Sequence, residues 1–271
     1  DFDATGLVEH LEKRKNEQGL LYVATHDRTS HLNKVMVELA GARSEWARCI
    51  SSDGKSSSNV LLFDPTHSTN RYGLKLCFFT SVGANGQTVV LAFCVIKHES
   101  IADIQWAFRM FHNIFRAAPS VLMTDGDAAI AGAFEECSQS GDIWEHVHHL
   151  LCVYHLSKNV FQKVHPLFSH DPAKWRDAFS LFWRIAKLND EKFAQWHESD
   201  DGDTDIVTFE SLWLSFLQFV DTHGQGTTKQ DVLVWLDRSL YCRKEMWVAC
   251  YTWAHMTWGC HSTQRAESAN A

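Results

Sequence analysis

The sequence lacks any apolar run approaching the roughly 20 residues that a membrane-spanning helix needs. Its first residues, Asp-Phe-Asp-Ala-Thr, have no signal-peptide features, and we expect the chain to be a fragment of a longer protein. Basic charge is also in short supply: 25 Lys and Arg stand against 33 Asp and Glu, a formal charge of −8. The excess of acidic residues argues against a chain whose main function is to bind nucleic acid, because phosphate contacts need Lys and Arg. It leaves room for a catalytic module, because bound cations offset the charge of acidic metal ligands.

No Cys-x-x-Cys pair occurs among the eight cysteines, and several of them lie within apolar, strand-like runs. We therefore expect small core residues in a reducing compartment and no disulfide framework. Apolar residues make up 45% of the composition, which is typical of a globular chain. The length of 271 residues allows one large domain or two small ones.

Two short apolar runs end at a carboxylate. Val121-Leu-Met-Thr precedes Asp125, and Asn59-Val-Leu-Leu-Phe precedes Asp64. A carboxylate at a strand end faces the crevice in which open α/β sheets bind ligands and metals. Asp125 has a second interpretation as the N-cap of the next helix, for which Asp127 is the better candidate. Asp64 is followed by Pro65, which predicts that the strand finishes there, so Asp64 has the alternative role of a strand terminator.

The order of the predicted elements indicates an α/β fold with a ribonuclease H-like mixed sheet. Three hairpin-joined strands, a crossover helix and two further strands follow one another. The helix is indicated by the helical spacing of Ile104, Phe108, Phe111 and Phe115, and the last strand is predicted to run from His146 to Tyr154. In that fold the first and fourth strands are neighbours. Asp64 and Asp125 would then lie side by side. After Pro166 the alternation disappears, which predicts an all-helical insertion before the last acidic residue, Glu267. We predict four regions. Residues 1–58 form an N-terminal helix and short strands that lead into the core, and residues 59–165 form the ribonuclease H-like core. Residues 166–257 form the helical insertion, and residues 258–271 begin a truncated C-terminal core helix.

Five segments in this order resemble the catalytic domain of Mutator-like (MULE) transposases and of the plant transcription regulators derived from them. They are Leu62-Phe-Asp-Pro-Thr66 with Thr69-Asn-Arg-Tyr72, the segment from Glu99 to Trp106, Met123-Thr-Asp-Gly-Asp-Ala128, Cys152-Val-Tyr-His-Leu-Ser-Lys-Asn159, and Thr263-Gln-Arg-Ala-Glu-Ser268 with Asn270. Together the segments extend over most of the fold. The departures from the family pattern are Pro65, His67 and Ala266, and none removes an acidic residue.

The resemblance implies a DDE triad of Asp64, Asp125 and Glu267 that is both catalytic and metal-binding. Two Mg²⁺ or Mn²⁺ ions about 3.5–4 Å apart would activate a water or 3′-hydroxyl and stabilise the leaving oxygen. Hard ions of this kind prefer carboxylate oxygens. The implied partners are transposon-end DNA, target DNA and further copies of the chain in a homodimer or higher oligomer, in the nucleus and away from membranes. The family's zinc-finger and SWIM modules would lie upstream and downstream of this fragment.

Other family positions carry weaker assignments. Cys152 and His155 match a Cys-x-x-His motif that we interpret as structural, since nothing completes a four-ligand zinc site around them, even with His146, His148 and His149 nearby. Arg71, Lys158 and Arg265 are candidate DNA-phosphate contacts, with solvated surface as the alternative. Glu267 alone would be an ordinary surface residue. At the level of the whole chain, the alternatives to a transposase are a domesticated, non-catalytic transcription regulator and another ribonuclease H-like nuclease.

Overall fold

The computed structural model describes residues 2–28, 31–49, 60–66, 73–83, 86–139, 143–188, 208–252 and 255. Within these residues the chain separates into two compact units, one within 1–152 together with His255 and the other within 153–254. None of the described helices is long and apolar enough to cross a membrane.

The first unit is built on one seven-stranded mixed sheet, which confirms the predicted α/β class. The strand order across the sheet is β1-β2-β5-β4-β3-β6-β7. The strands are β1 (Tyr22–His26), β2 (Leu32–Glu38), β3 (Val60–Thr66), β4 (Lys75–Val82), β5 (Thr88–Ile96), β6 (Val121–Thr124) and β7 (His148–Leu151). β3, β4 and β5 form an antiparallel meander, and β6 and β7 are added in parallel beside β3. The first and fourth strands after residue 58 are therefore neighbours, as predicted.

The four described helices of the first unit contribute apolar side chains to its buried core. They are α1 (Phe2–Gln18), α2 (Ala42–Cys49), α3 (Ile101–Phe115) and α4 (Ala128–Gln139). The predicted helical spacing of Ile104, Phe108, Phe111 and Phe115 is confirmed, because all four residues are buried in the core. Ser100 caps α3 by accepting a hydrogen bond from the Asp103 backbone N–H. The aromatic side chains of α3 are buried against those of the sheet, with the ring centroid of Phe108 5.1 Å from that of Phe63 and the ring centroid of Phe111 4.9 Å from that of Phe79, and such contacts stabilise this layer.

The prediction that Pro65 ends its strand is wrong. β3 continues to Thr66, and Pro65 pairs with Cys77 of β4. The physical reason is that β3 pairs with β6 only over residues 60–62. From residue 63 onward β3 is paired with β4 on one side only. Proline, which has no backbone N–H, is tolerated in a strand that is paired on one side.

The second unit is all-helical in its described part, in line with the change of character seen in the sequence. It contains α5 (Val153–Val164), α6 (Pro172–Ala186), α7 (Phe209–His223), α8 (Lys229–Ser239) and the single turn α9 (Ala249–Thr252). Asp171 caps α6 by accepting from the Ala173 and Lys174 N–H groups, and a reciprocal capping box joins Thr208 to Ser211 at the start of α7. Phe168, Phe182, Phe216 and Leu236 form part of its buried core.

Candidate functional site

Asp64 and Asp125 occupy equivalent positions on adjacent parallel strands. The paired residues of β3 and β6 end with Leu62 opposite Met123, and each aspartate stands two residues further along its own chain. Adjacent strands lie about 4.8 Å apart, and side chains two residues apart share a face. Leu61, Phe63 and Leu122 belong to the core beneath α3, so the alternating positions of Leu62 and Asp64 face the other side of the sheet.

The two carboxylates differ in their surroundings. Asp64 is only 3% exposed, whereas Asp125 is half-buried in the turn between β6 and α4. The Oδ1 atom of Asp125 accepts a hydrogen bond of 3.0 Å from the Asp127 backbone N–H. Asp127 in turn caps α4, because its Oδ1 accepts from the Ala129 and Ile130 N–H groups. The prediction that Asp127, and not Asp125, is the cap residue is confirmed.

A hydrogen-bonded pair beneath Asp125 was not predicted from the sequence. The Thr124 hydroxyl donates to the Asp125 carbonyl oxygen at 2.7 Å and lies 2.8 Å from Nε2 of His149 on β7. The His149 ring also packs against Phe134 of α4, with the ring centroids 4.8 Å apart. These contacts hold the backbone at Asp125 in position.

A further carboxylate, Glu99, lies at the same edge of the sheet as Asp64. It follows the end of β5 and forms an ion pair of 3.9 Å with Lys75 at the start of β4. The pKa of the buried Cys77 thiol is well above its ordinary value, because the thiol is hydrogen-bonded to Cys94 and buried, and because the charges of Glu99 and Asp64 lie nearby. The signal available in the sequence was the same as for Asp64, an acidic residue just after an apolar strand.

The Cys-x-x-His motif is divided between the two units. Cys152 is fully buried one residue beyond β7, and its N–H donates to the Thr124 carbonyl at 2.7 Å. The sequence prediction of a strand from His146 to Tyr154 is therefore too long at both ends, since β7 is His148–Leu151. His155 and Lys158 lie in α5, within the other unit, where the Lys158 ammonium sits 4.2 Å from the Tyr154 ring centroid.

Three predicted site residues, Glu267, Arg71 and Arg265, lie outside the described residues. In the described ranges no group of three or more His, Cys, Asp and Glu side chains is arranged to hold a metal ion. The donor set of the aspartate pair nevertheless fits a hard divalent cation, because both side chains supply carboxylate oxygens at one edge of the sheet.

A cavity of about 440 Å³ lies elsewhere in the first unit, between the end of α1 and the connection from β2 to α2. Its lining includes the buried Glu38, whose Oε1 accepts from Arg43 Nε at 2.8 Å. β2 runs antiparallel to β5, β5 to β4 and β4 to β3, so the end of β2 lies at the edge opposite Asp64. The cavity is therefore separate from the aspartate pair.

Comparison with known proteins agrees with the motifs. Residues 60–159 match the MULE transposase domain. Three relatives in Arabidopsis thaliana are FAR1-RELATED SEQUENCE 5, 24% identical over 79% of this chain, FAR1-RELATED SEQUENCE 2, 25% identical over 61%, and FAR1-RELATED SEQUENCE 4, 22% identical over 99%. This chain spans 23%, 19% and 31% of their respective lengths. The matched residues include Asp64, Asp125, Cys152 and His155, so this part of the chain is similar to the MULE transposase domain, as its motifs predicted.

Proposed function

We propose that this chain is the catalytic module of a DDE-type transposase, which cuts and joins DNA at transposon ends with divalent metal ions. The observation that carries the proposal is the pairing of β3 and β6, which sets Asp64 and Asp125 at matching positions on adjacent parallel strands. The sheet is proposed to be ribonuclease H-like. Support comes from its antiparallel meander and from the fourth core strand, which lies parallel beside the first.

The roles of the residues follow from their positions. Asp64 and Asp125 hold the ions, with Glu267 as the proposed third carboxylate. Two Mg²⁺ or Mn²⁺ ions in such a site supply the charge that makes a water or 3′-hydroxyl nucleophilic and that stabilises the leaving oxygen. Burial of Asp64 strengthens its electrostatic interactions by excluding water. The Asp127 N–H orients the Asp125 carboxylate, and Thr124 with His149 holds the backbone behind it. The Cys152 N–H donates to the Thr124 carbonyl and so connects the end of β7 to the end of β6.

The proposed setting follows from the same activity. The substrates are transposon-end and target DNA, the working form is a homodimer or higher oligomer, and the compartment is the nucleus. Arg71, Lys158 and Arg265 remain proposed phosphate contacts.

The test is nicking of supercoiled plasmid DNA, and of a linear DNA carrying the element's terminal repeats, by the 271-residue chain. We expect nicking with Mg²⁺ or Mn²⁺ and none with EDTA. Asp125→Asn should lower the rate by at least about 100-fold, as loss of a group that stabilises transition-state charge does. Asp127→Asn is the matched control. It removes the same charge two residues away and keeps a good helix cap, so its rate should be unchanged.

A second candidate is a non-catalytic derivative that works as a DNA-associated transcription regulator. The observation that favours it is that the three relatives named above are all FAR1-related proteins. Metal-independent DNA binding without nicking, unchanged in Asp125→Asn, would support this candidate over the transposase. The matching positions of the two aspartates on adjacent parallel strands favour the enzyme.

A further inference from the structure

The second unit contains a segment whose charge is opposite to that of the whole chain. Residues 153–188 carry six basic residues, two aspartates and no glutamate, in a chain of net charge −8. The basic residues are Lys158, Lys163, Lys174, Arg176, Arg184 and Lys187. One of the two aspartates, Asp171, is occupied as the cap of α6. Local basic charge of this kind is the electrostatic footprint of nucleic-acid binding.

Aromatic rings follow one another along this basic segment. Phe161 stacks on His165 with the centroids 4.6 Å apart and the planes at 16°, and His165 lies 5.1 Å from Trp175. Trp175 stacks on Phe179 at 5.0 Å, and Phe179 meets Trp183 at 6.2 Å. We call these five residues, Phe161, His165, Trp175, Phe179 and Trp183, the ring row. Because its α6 members are spaced four residues apart, they lie on one face of that helix.

The ring row has cations at both ends and an exposed ring at one of them. Phe161 is 48% exposed, although phenylalanine is normally buried. Lys158 stands three residues before Phe161 on the same face of α5. At the other end, the Lys187 ammonium lies 5.3 Å from the Trp183 ring centroid. An exposed ring beside cations is the arrangement on which the bases of a single strand stack while its phosphates are held.

We propose that the ring row binds unpaired nucleotides of a DNA strand, with a base stacked on Phe161 and phosphates held by Lys158, Arg176 and Lys187. A duplex fits less well, because its bases are already stacked on one another and cannot cover the Phe161 ring. This inference goes beyond the proposed catalytic function. It concerns the other unit, requires no metal ion and would hold for an enzyme or a regulator.

The test is fluorescence anisotropy of a labelled oligodeoxythymidine of about 16 nucleotides, the upper range for one binding module. The full 271-residue chain is titrated in EDTA, which removes any contribution from metal-dependent catalysis. Phe161→Ala should weaken binding by about 5- to 150-fold, the loss of one stacked base. Phe161→Trp should restore it, since indole also stacks. Leu214→Ala is the matched control, because Leu214 is 64% exposed on α7, a helix without Lys or Arg, and should have no effect.

Salt dependence tests the cations separately. Replacing Lys158 and Lys187 by Gln should reduce the slope of log affinity against log salt by about 1.4, or 0.7 for each lost phosphate contact. Lys229→Gln, which removes an ion pair with Asp221, should leave the slope unchanged. The proposal is overturned if Phe161→Ala binds like Leu214→Ala, if Phe161→Trp fails to restore binding, or if duplex of the same length binds as tightly. A change in sedimentation instead of DNA affinity in Phe161→Ala would identify a self-association surface and also overturn it.

Discussion

Asp125 and Asp127 are acidic residues of the same turn with different structural roles. Asp127 accepts from the first N–H groups of α4, and its own N–H donates to Asp125 Oδ1. The type of residue at both positions was informative in the sequence, since a cap and a strand-end carboxylate are each recognisable alone. The support from Thr124 and His149 was not predictable, because that hydrogen bond joins residues 25 positions apart.

Replacing Asp127 separates its role in stability from the role of Asp125. Asp127→Ala should lower the free energy of unfolding by about 1 kcal/mol, because two N–H groups of α4 lose their acceptor. Asp127→Asn should cost much less, since asparagine caps as well. Urea unfolding followed by circular dichroism measures both variants. An equal loss in Asn and Ala would show that charge, and not the cap hydrogen bond, is what α4 uses.

At the scale of elements, the hairpin strands and α3 were predictable because their apolar residues recur with a clear period. β7 was predicted too long because the run from Leu150 to Tyr154 is apolar throughout, and such a run does not distinguish a strand from the start of a buried helix. The extension of β3 through Pro65 depends on which side of the strand is paired, and that is a property of the sheet. The neighbouring positions of β3 and β6 followed from the order of the elements.

The attachment of α1 to β1 gives a pH-dependent prediction. The Tyr22 hydroxyl donates to Glu12, and burial, followed by this bond and the Glu12 charge, raises the pKa of Tyr22 to about 12 from 10.0. A raised folded-state pKa gives stability that is fully present below pH 10 and lost as the pH rises toward 12. Tyr22→Phe lacks this contribution. The difference in unfolding free energy between wild type and Tyr22→Phe should therefore be constant below pH 10 and shrink above it.

Urea unfolding across that pH range measures the difference. Glu12→Gln is the control variant: it removes the negative charge that helps to raise the Tyr22 pKa, so the pH dependence should weaken in that background. A difference that grows with pH would show that the Tyr22 hydroxyl opposes the docking of α1.

At the scale of the molecule, the overall charge of −8 combines regions of opposite charge. The first unit gathers Asp64, Asp125 and Glu99 at one edge of its sheet, whereas the described helices α5 and α6 of the second unit carry a basic surface. The net charge of the whole chain gave no sign of this local basic segment. Composition averages over the chain, and recognition depends on where the charges lie.

The central proposal is that Asp64 and Asp125 bind divalent metal ions together. Iron-directed cleavage tests it most directly, because Fe²⁺ in a Mg²⁺ site generates hydroxyl radicals that cut the polypeptide beside its ligands. With ascorbate and peroxide, we predict cuts at the ends of β3 and β6, next to Asp64 and Asp125, that excess Mg²⁺ suppresses and Asp125→Asn abolishes. Cuts elsewhere in the chain, or cuts beside these residues that persist in Asp125→Asn, would contradict the account.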